Sequence, residues 1–246
     1  MNKEYEQLKQ MIDKAENIVF FGGAGVSTES GLKDFRGKGG FYTEENTGIN
    51  PAEILSRGFF LRNPEAFYEY YKKNMLFTGI KPNAAHHALA RLERQGKLSA
   101  VITQNIDGLH QLAGSETVYE LHGTVHDNYC MRCKSSYPLS VIEESEGVPY
   151  CSACGGIIRP NIVLYGEPLD VHTWYAAQEA VVNADLMIVA GTSLTVEPAA
   201  SITSEFRGDN LVIINKTPTP QDDRASLIIR EPVGQVLGEI IGKENC

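Results

Sequence analysis

The chain has 246 residues, of which 42% are hydrophobic and 22% charged, a composition typical of a globular protein rather than a disordered or fibrous one. It carries 22 basic against 31 acidic residues, a formal net charge of -9. This balance argues against nucleic acid as the main partner, because phosphate contacts need clustered Lys and Arg.

The N-terminal residues lack a basic stretch followed by an apolar segment, and no later run approaches the ~20 apolar residues of a membrane span. We therefore expect a cytoplasmic protein without a membrane partner. In a reducing cytosol, clustered cysteines are more often metal ligands than disulfides.

The apolar runs predict an open parallel sheet. Residues 3–17 have apolar side chains at helical spacing and lead into a first buried strand at 18–21. Similar runs, each ending in small or polar residues, follow at 100–103, 186–190 and 211–214, with helical patterns such as 84–95 and 174–183 before or between strands. Since parallel strands share one carboxyl edge, we expect a Rossmann-like α/β fold with its ligand at that edge.

Two stretches interrupt this alternation. Residues 37–80 are rich in Phe and Tyr, and Pro51 and Pro64 are expected to open helices there. Residues 125–157 hold the cysteine pairs and few apolar runs. We expect a large domain of residues 1–36, 81–124 and 158–246, and a small domain made of the helical insert 37–80 and the module 125–157.

The cysteine spacing predicts a zinc ribbon. Two C-x2-C pairs are separated by seventeen residues: Cys130 with Cys133, and Cys151 with Cys154. Four thiolates complete a tetrahedron and leave no position open for water, so the ion should be structural. Free or disulfide-bonded cysteines are the alternative.

A glycine-rich turn follows the first strand, in Phe21-Gly22-Gly23-Ala24-Gly25-Val26-Ser27-Thr28. Glycines there permit a close approach of the backbone to a pyrophosphate. The turn lacks the third glycine of G-x-G-x-x-G, and no acidic residue ends the second strand region, so a dehydrogenase fits poorly. A tight turn that only packs on the sheet remains the alternative.

Two further positions carry candidate chemistry. In the next loop Arg36 is suited to a phosphate and Phe35 to covering a ring, although a surface salt bridge beside a buried Phe explains them equally. His122 ends a short predicted strand at the joint between the two domains, where its titration range suits a general base. A structural hydrogen bond is the alternative for His122.

An ordered set of motifs resembles the sirtuin family of NAD-dependent protein deacylases over residues 17–236. The matching segments are Gly23-Ala24-Gly25-Val26-Ser27, Asp34-Phe35-Arg36, Lys81-Pro82-Asn83-Ala84-Ala85-His86, Thr103-Gln104-Asn105-Ile106-Asp107, Leu121-His122-Gly123, the two cysteine pairs, Arg159-Pro160-Asn161-Ile162-Val163, Gly191-Thr192-Ser193 and Asn215.

The resemblance to this family, as a bacterial member, implies an NAD-dependent protein-lysine deacetylase that releases nicotinamide and O-acetyl-ADP-ribose, with acyl-lysine peptides or proteins as substrates. NAD would be the co-substrate and Zn2+ the structural ion, and we expect a monomer. Two alternatives are a protein mono-ADP-ribosyltransferase, which has less need of a base at the ribose hydroxyl, and an NAD-responsive binding protein without turnover.

The resemblance also implies roles for individual residues. His122 and Asn105 would be catalytic. The cofactor would contact Gly23, Ala24, Gly25, Thr28, Phe35, Arg36, Gln104, Asn105, Ile106, Asp107, His122, Gly191, Thr192, Ser193, Asn215, Lys216 and Val233. The peptide substrate would contact Val163, Tyr165, Gly166, Glu167, Thr195 and Val196.

The helical insert bears on acyl-chain preference. Relatives that remove acidic acyl groups carry a Tyr followed three residues later by an Arg, whereas this chain has Tyr71 and Asn74. Without the guanidinium, a succinyl carboxylate loses its bidentate partner. We therefore expect a preference for neutral acyl groups such as acetyl.

Overall fold

The structure is a computed structural model that describes residues 2–35, 37, 40, 50–77 and 79–242. Its strands are β1 (Ile18–Gly22), β2 (Leu98–Thr103), β3 (Val118–Glu120), β4 (Gly123–Cys130), β5 (Ser136–Pro138), β6 (Ile158–Ile162), β7 (Leu186–Ala190), β8 (Asn210–Ile214) and β9 (Leu227–Ile229). Its α-helices are α1 (Lys3–Lys14), α2 (Pro51–Ile54), α3 (Arg57–Arg62), α4 (Pro64–Asn74), α5 (Ala84–Arg94), α6 (Leu109–Leu112), α7 (Leu139–Glu143), α8 (Val171–Val182) and α9 (Val233–Ile241).

A six-stranded parallel sheet runs in the order β3-β2-β1-β7-β8-β9. The chain builds outward from β1 to β3 and then returns to the other side of β1 with β7. The strand order therefore reverses between β1 and β7, where sheets of this type open a crevice for a ligand. The predicted parallel sheet is confirmed, while β9 was not predicted.

Helices cover both faces of this sheet. Successive strand residues point to opposite faces, so Phe20 packs with α1, α5 and α9 while Phe21 packs with α8 and the 3-10 helix Ala199–Glu205. Both rings are fully buried, and burying each contributes about 2–3 kcal/mol. The sheet is thereby held rigid beneath its loops.

The remaining elements share a separate core. An antiparallel sheet in the order β5-β4-β6 packs with α2, α3 and α4 around Phe67, Tyr68 and Ile142. The Tyr68 hydroxyl donates to the carbonyl of Ile158, and the Lys72 ammonium donates to Ser145. Pro51 and Pro64 begin α2 and α4, each behind an Asn. The predicted division into two domains stays a prediction. β4 begins two residues before the predicted module 125–157, and β6, which pairs with β4, lies wholly after it.

Among the described helices, none has the length and apolar character needed to cross a membrane.

Candidate active site

The loops after β1 and β7 pack directly against each other. The Gly23 amide donates to the Ala190 carbonyl at 3.2 Å, and the Gly25 amide donates to the Gly191 carbonyl at 2.8 Å. A Cβ on Gly25 would lie 2.7 Å from the Gly191 backbone, closer than van der Waals contact allows. Gly191 itself has a φ of 58°, which favours glycine. These glycines are therefore required for loop-to-loop packing, whatever ligand the loops bind.

Gln104, which follows β2, connects three of the strand-end loops. Its amide donates to the Gly22 carbonyl at 2.9 Å, and its side-chain Oε1 accepts from the Thr192 hydroxyl at 2.8 Å. Its backbone carbonyl accepts from His122 Nδ1 at 2.9 Å. Its Nε2 is buried and has no hydrogen-bond partner within the described part of the chain. A buried donor of this kind requires an acceptor, and an oxygen atom of a bound ligand could accept its hydrogen bond.

His122 has a defined tautomer. A carbonyl oxygen only accepts, so Nδ1 carries the proton toward Gln104 and Nε2 carries the lone pair. Burial lowers the pKa of the His122 imidazole, which the Gln104 hydrogen bond partly offsets. The ring is therefore neutral near pH 7 and able to accept a proton at Nε2. The His122 carbonyl also accepts from the Val163 amide at 2.9 Å, so residue 163 lies beside the histidine.

A buried polar triad joins the loops that follow β1 and β2. Ser27 donates to the Asp107 carboxylate at 2.7 Å and accepts from Asn105 Nδ2 at 3.0 Å. The Leu109 amide donates to the other Asp107 oxygen at 3.0 Å. Burial raises the Asp107 pKa, against the pull of these hydrogen bonds. Sequence reasoning did not choose Ser27, although it closes the glycine motif, because a small hydroxyl residue in a turn carries no distinctive signal.

The other predicted cofactor residues are distributed around this edge. Thr28 donates to the Gly25 carbonyl at 2.9 Å, and Ser193 shares a hydrogen bond with Thr195 at 2.9 Å. Ile106 and Phe35 pack partly buried against the small core of α2–α4, Asn215 follows β8, and Lys216 is exposed. The Val233 side chain is 3% exposed in the core beneath the sheet, so only its backbone can reach a ligand. Arg36 lies outside the described residues.

The predicted substrate segment is held at several points. Tyr165 is clamped by the helical insert, since its amide donates to the Leu55 carbonyl and its carbonyl accepts from the Arg57 amide, both at 2.9 Å. Gly166 has a φ of 87°. The Glu167 carboxylate accepts hydrogen bonds from the two terminal guanidinium nitrogens, Nη1 and Nη2, of the buried Arg159, at 2.7 and 3.0 Å. Glu167 is therefore engaged within the protein, and Arg159 is a residue that sequence reasoning named only as part of a motif. Val196 is partly buried and Thr195 exposed in the loop after β7.

The four predicted cysteines converge. The sulfurs of Cys130, Cys133, Cys151 and Cys154 all lie within 4.8 Å of one another. The Cys130–Cys154 and Cys133–Cys151 sulfur distances are 3.4 and 3.6 Å, close to the ~3.8 Å edge of a ZnS4 tetrahedron with ~2.3 Å bonds and far longer than a disulfide. The cluster therefore fits one structural zinc ion, as the spacing predicted.

This strand order, with polar loops at its crevice and a four-cysteine cluster that fits a zinc ion, is the arrangement of a nucleotide-binding α/β protein with a zinc-ribbon module. The Sir2 family model matches residues 23–198. A curated NAD-dependent protein deacetylase of Clostridium perfringens is 51% identical over 98% of this chain and 100% of its own length. A solved Sir2 structure with p53 peptide and NAD+ has a TM-score of 0.86 at 41% identity and covers 96% of each chain. A Sir2 variant with deacetylated p53 peptide and 3'-O-acetyl ADP-ribose has a TM-score of 0.87 at 41% identity, over 95% of this chain and 97% of that chain. The chain belongs to the Sir2 family, which confirms the predicted resemblance.

Proposed function

We propose that this protein is an NAD-dependent protein-lysine deacetylase that transfers the acyl group from lysine to ADP-ribose and releases nicotinamide. The observation that carries the proposal is the 2.9 Å contact between His122 Nδ1 and the Gln104 carbonyl oxygen, which commits the proton to Nδ1 and leaves the Nε2 lone pair as a base. The names of the relatives support the same activity, since the curated relative is a deacetylase and the Sir2 complexes hold a peptide with NAD+ or acetyl ADP-ribose.

When bound, NAD supplies the nicotinamide–ribose bond that breaks and the ribose that receives the acyl group. The chain supplies orientation and proton transfer. His122 Nε2 accepts a proton from a ribose hydroxyl, and its lowered pKa keeps that lone pair available near neutral pH. Asn105 and Asp107 are held in place by hydrogen bonds with Ser27, and they would lie on the nicotinamide side of the bound cofactor.

The remaining cofactor contacts are proposed by position. The loop after β1 would bind the diphosphate and the ends of β7 and β8 the adenosine half. The proposed set is Gly23, Ala24, Gly25, Thr28, Phe35, Arg36, Gln104, Ile106, Gly191, Thr192, Ser193, Asn215, Lys216 and Val233.

The acyl-lysine peptide would add as a strand to two loops. Tyr165 already uses both its backbone groups on the helical insert, and the Val163 amide is bound to His122. The Val163 carbonyl and the Gly166 backbone have no backbone partner among the described residues, so these are the groups left for substrate. Glu167 would act by shaping this segment, and Thr195-Val196 would form the opposite edge.

We also infer a preference for neutral acyl chains. Tyr71 is fully buried and stacks on Phe67 with ring centroids 5.6 Å apart. Asn74 donates to the Tyr70 carbonyl at 2.9 Å, so its amide serves the helix. Succinyl-lysine peptide should therefore turn over at least about tenfold more slowly than acetyl-lysine peptide, the difference of one charge-assisted hydrogen bond. Comparable kcat/KM values for the two peptides would contradict this.

The test of the proposed function is mass spectrometry of an acetyl-lysine peptide incubated with the protein and NAD. Loss of acetyl with formation of nicotinamide and O-acetyl-ADP-ribose is expected. Gain of ADP-ribose on protein would favour the ADP-ribosyltransferase, and absence of nicotinamide release with any acyl-peptide would favour a binding protein. His122→Ala should keep NAD binding and lose deacetylation. Unchanged kcat in that variant would refute its role as base.

A cytoplasmic location and a monomeric state complete the proposal. The net charge of -9 favours peptide over nucleic acid as the partner. Size-exclusion chromatography with light scattering would measure the oligomeric state, and a mass of two chains would overturn the second expectation.

A further inference from the structure

The hydroxyl of Thr192 has its bonding fixed on two sides. Its oxygen accepts from the Leu194 amide at 3.2 Å, and its proton is donated to Gln104 Oε1 at 2.8 Å. An amide N–H only donates, so the contact with Leu194 uses a lone pair and leaves the proton free for Gln104. Among the described residues, Gln104 Oε1 is the one acceptor that this proton has.

The backbone amide of Leu194 holds the Thr192 hydroxyl in this orientation. Its φ of 52° lies in the left-handed region, which is unfavourable for a bulky side chain. The side chain is nevertheless 6% exposed and packs in the core with Phe21 and Ile202. Burial of Leu194 therefore pins its amide against Thr192, and the core of the fold determines where the hydroxyl proton points.

The terminal amide of Gln104 can be placed in two orientations, which differ by half a turn and exchange Oε1 with Nε2. Its backbone is bound at both ends, to Gly22 and to His122. With Oε1 held by Thr192, the two N–H donors of Nε2 occupy the opposite position, buried and without a protein acceptor in the described part of the chain. If the amide rotated by half a turn, Nε2 could donate to the second lone pair of the Thr192 hydroxyl, but the Thr192 proton would have no acceptor among the described residues.

We propose that Thr192 is a positioning residue that locks the Gln104 amide with Nε2 toward the ligand, so that this part of the site accepts only a hydrogen-bond acceptor, a hydroxyl oxygen of the nucleotide sugar. The identity of the ligand rests on the proposed function. Thr192 therefore belongs to the proposed cofactor site through its backbone and through the orientation of Gln104, while its hydroxyl is committed to Gln104 and Leu194 within the protein.

The experiment compares Thr192→Val, which keeps the shape and removes the hydroxyl, with Thr192→Ser, which keeps the hydroxyl. Both are made in the wild-type protein and in a Gln104→Ala background. NAD binding is measured by isothermal titration calorimetry, alongside KM for NAD, KM for acetyl-peptide and kcat. Thr192→Ala replaces the valine variant if circular dichroism shows that the latter does not fold.

Thr192→Val should weaken NAD binding and raise KM for NAD about five- to tenfold, the loss of about one hydrogen bond. KM for the peptide should stay within about twofold of the wild-type value. Thr192→Ser, which keeps the hydroxyl, should also bind NAD within about twofold of the wild-type affinity. In the Gln104→Ala background, Thr192→Val should have no further effect, because Thr192 acts through Gln104.

Equal and additive effects of Thr192→Val in both backgrounds would overturn the proposal, as would a serine variant as weak as the valine one. These outcomes are separate from failure of the proposed function. If the wild type binds NAD but transfers no acetyl group, the deacetylase proposal fails and the calorimetric comparison still decides the role of Thr192.

Discussion

Acidification is expected to destabilise this protein through a buried histidine outside the site. His86 is fully buried in α5, and its Nδ1 accepts a hydrogen bond from the backbone N–H of Asn83 at 3.2 Å. Burial, with a smaller repulsion from His87, lowers the pKa of His86 to about 4. His110 lies against it with ring centroids 4.7 Å apart, and burial lowers its pKa too. Protonating His86 would charge a dry core and remove the acceptor for Asn83.

The sign and size follow from proton linkage. The folded pKa of His86 lies below its unfolded value of about 6.5, so the unfolded state binds more protons between pH 6.5 and 4 and stability falls as the pH drops. With these values the loss is about 1.4 kcal/mol at pH 5.5 and about 3 kcal/mol at pH 4. Other groups titrate in this range, Glu120 among them with its pKa raised to about 7 by burial, so a difference between variants is required.

The assay is urea unfolding of wild type and His86→Asn at pH 7.5 and 5.5, followed by the fluorescence of Trp174, the one tryptophan in the sequence. The asparagine retains an acceptor for Asn83 and does not titrate. The cavity left by the smaller side chain lowers the free energy of unfolding equally at both pH values. The difference in the free energy of unfolding between wild type and variant should therefore shrink by about 1.4 kcal/mol on acidification. His172→Asn, at an exposed position, should parallel wild type. A stability difference between wild type and His86→Asn that does not change with pH would show that His86 does not cause the acid sensitivity.

Three further expectations concern the two cores and their junction. Cys130→Ser should reduce bound zinc, measured by plasma mass spectrometry, from one ion per chain to none and unfold the module; a metal-free, fully active variant would contradict the zinc assignment. Arg159→Leu should cost about 3 kcal/mol in urea unfolding, because the Glu167 side chain, only 15% exposed, loses its ion-pair partner. Arg57→Ala, at a side chain that is 62% exposed, should cost less than about 1 kcal/mol, and equal losses for the two variants would contradict this difference. Gly25→Ala should cost about 1–3 kcal/mol by overpacking, and a neutral effect would show that the loops can separate.

Local patterns carried much of the information that sequence reasoning needed. The apolar runs predicted β1, β2, β7 and β8, and the prolines at 51 and 64 marked helix starts. The strand β9 was missed because three apolar residues are too short to distinguish a strand from a loop. In the candidate site, His122 and Gln104 were chosen from motifs, but their mutual hydrogen bond joins residues 18 positions apart and could not be read from either motif.

The fold class, the candidate zinc ligands and the family could be predicted from the sequence, because strand hydrophobicity, C-x2-C spacing and short motifs are properties of neighbouring residues. The hydrogen bonds between the polar groups could be seen only in the folded chain. Thr192 meets Gln104 across 88 positions of chain, and Ser27 meets Asp107 across 80. Such pairs form only when the parallel sheet aligns the ends of separate strands, so the tautomer of His122 and the orientation of the Gln104 amide depend on packing far from them in sequence.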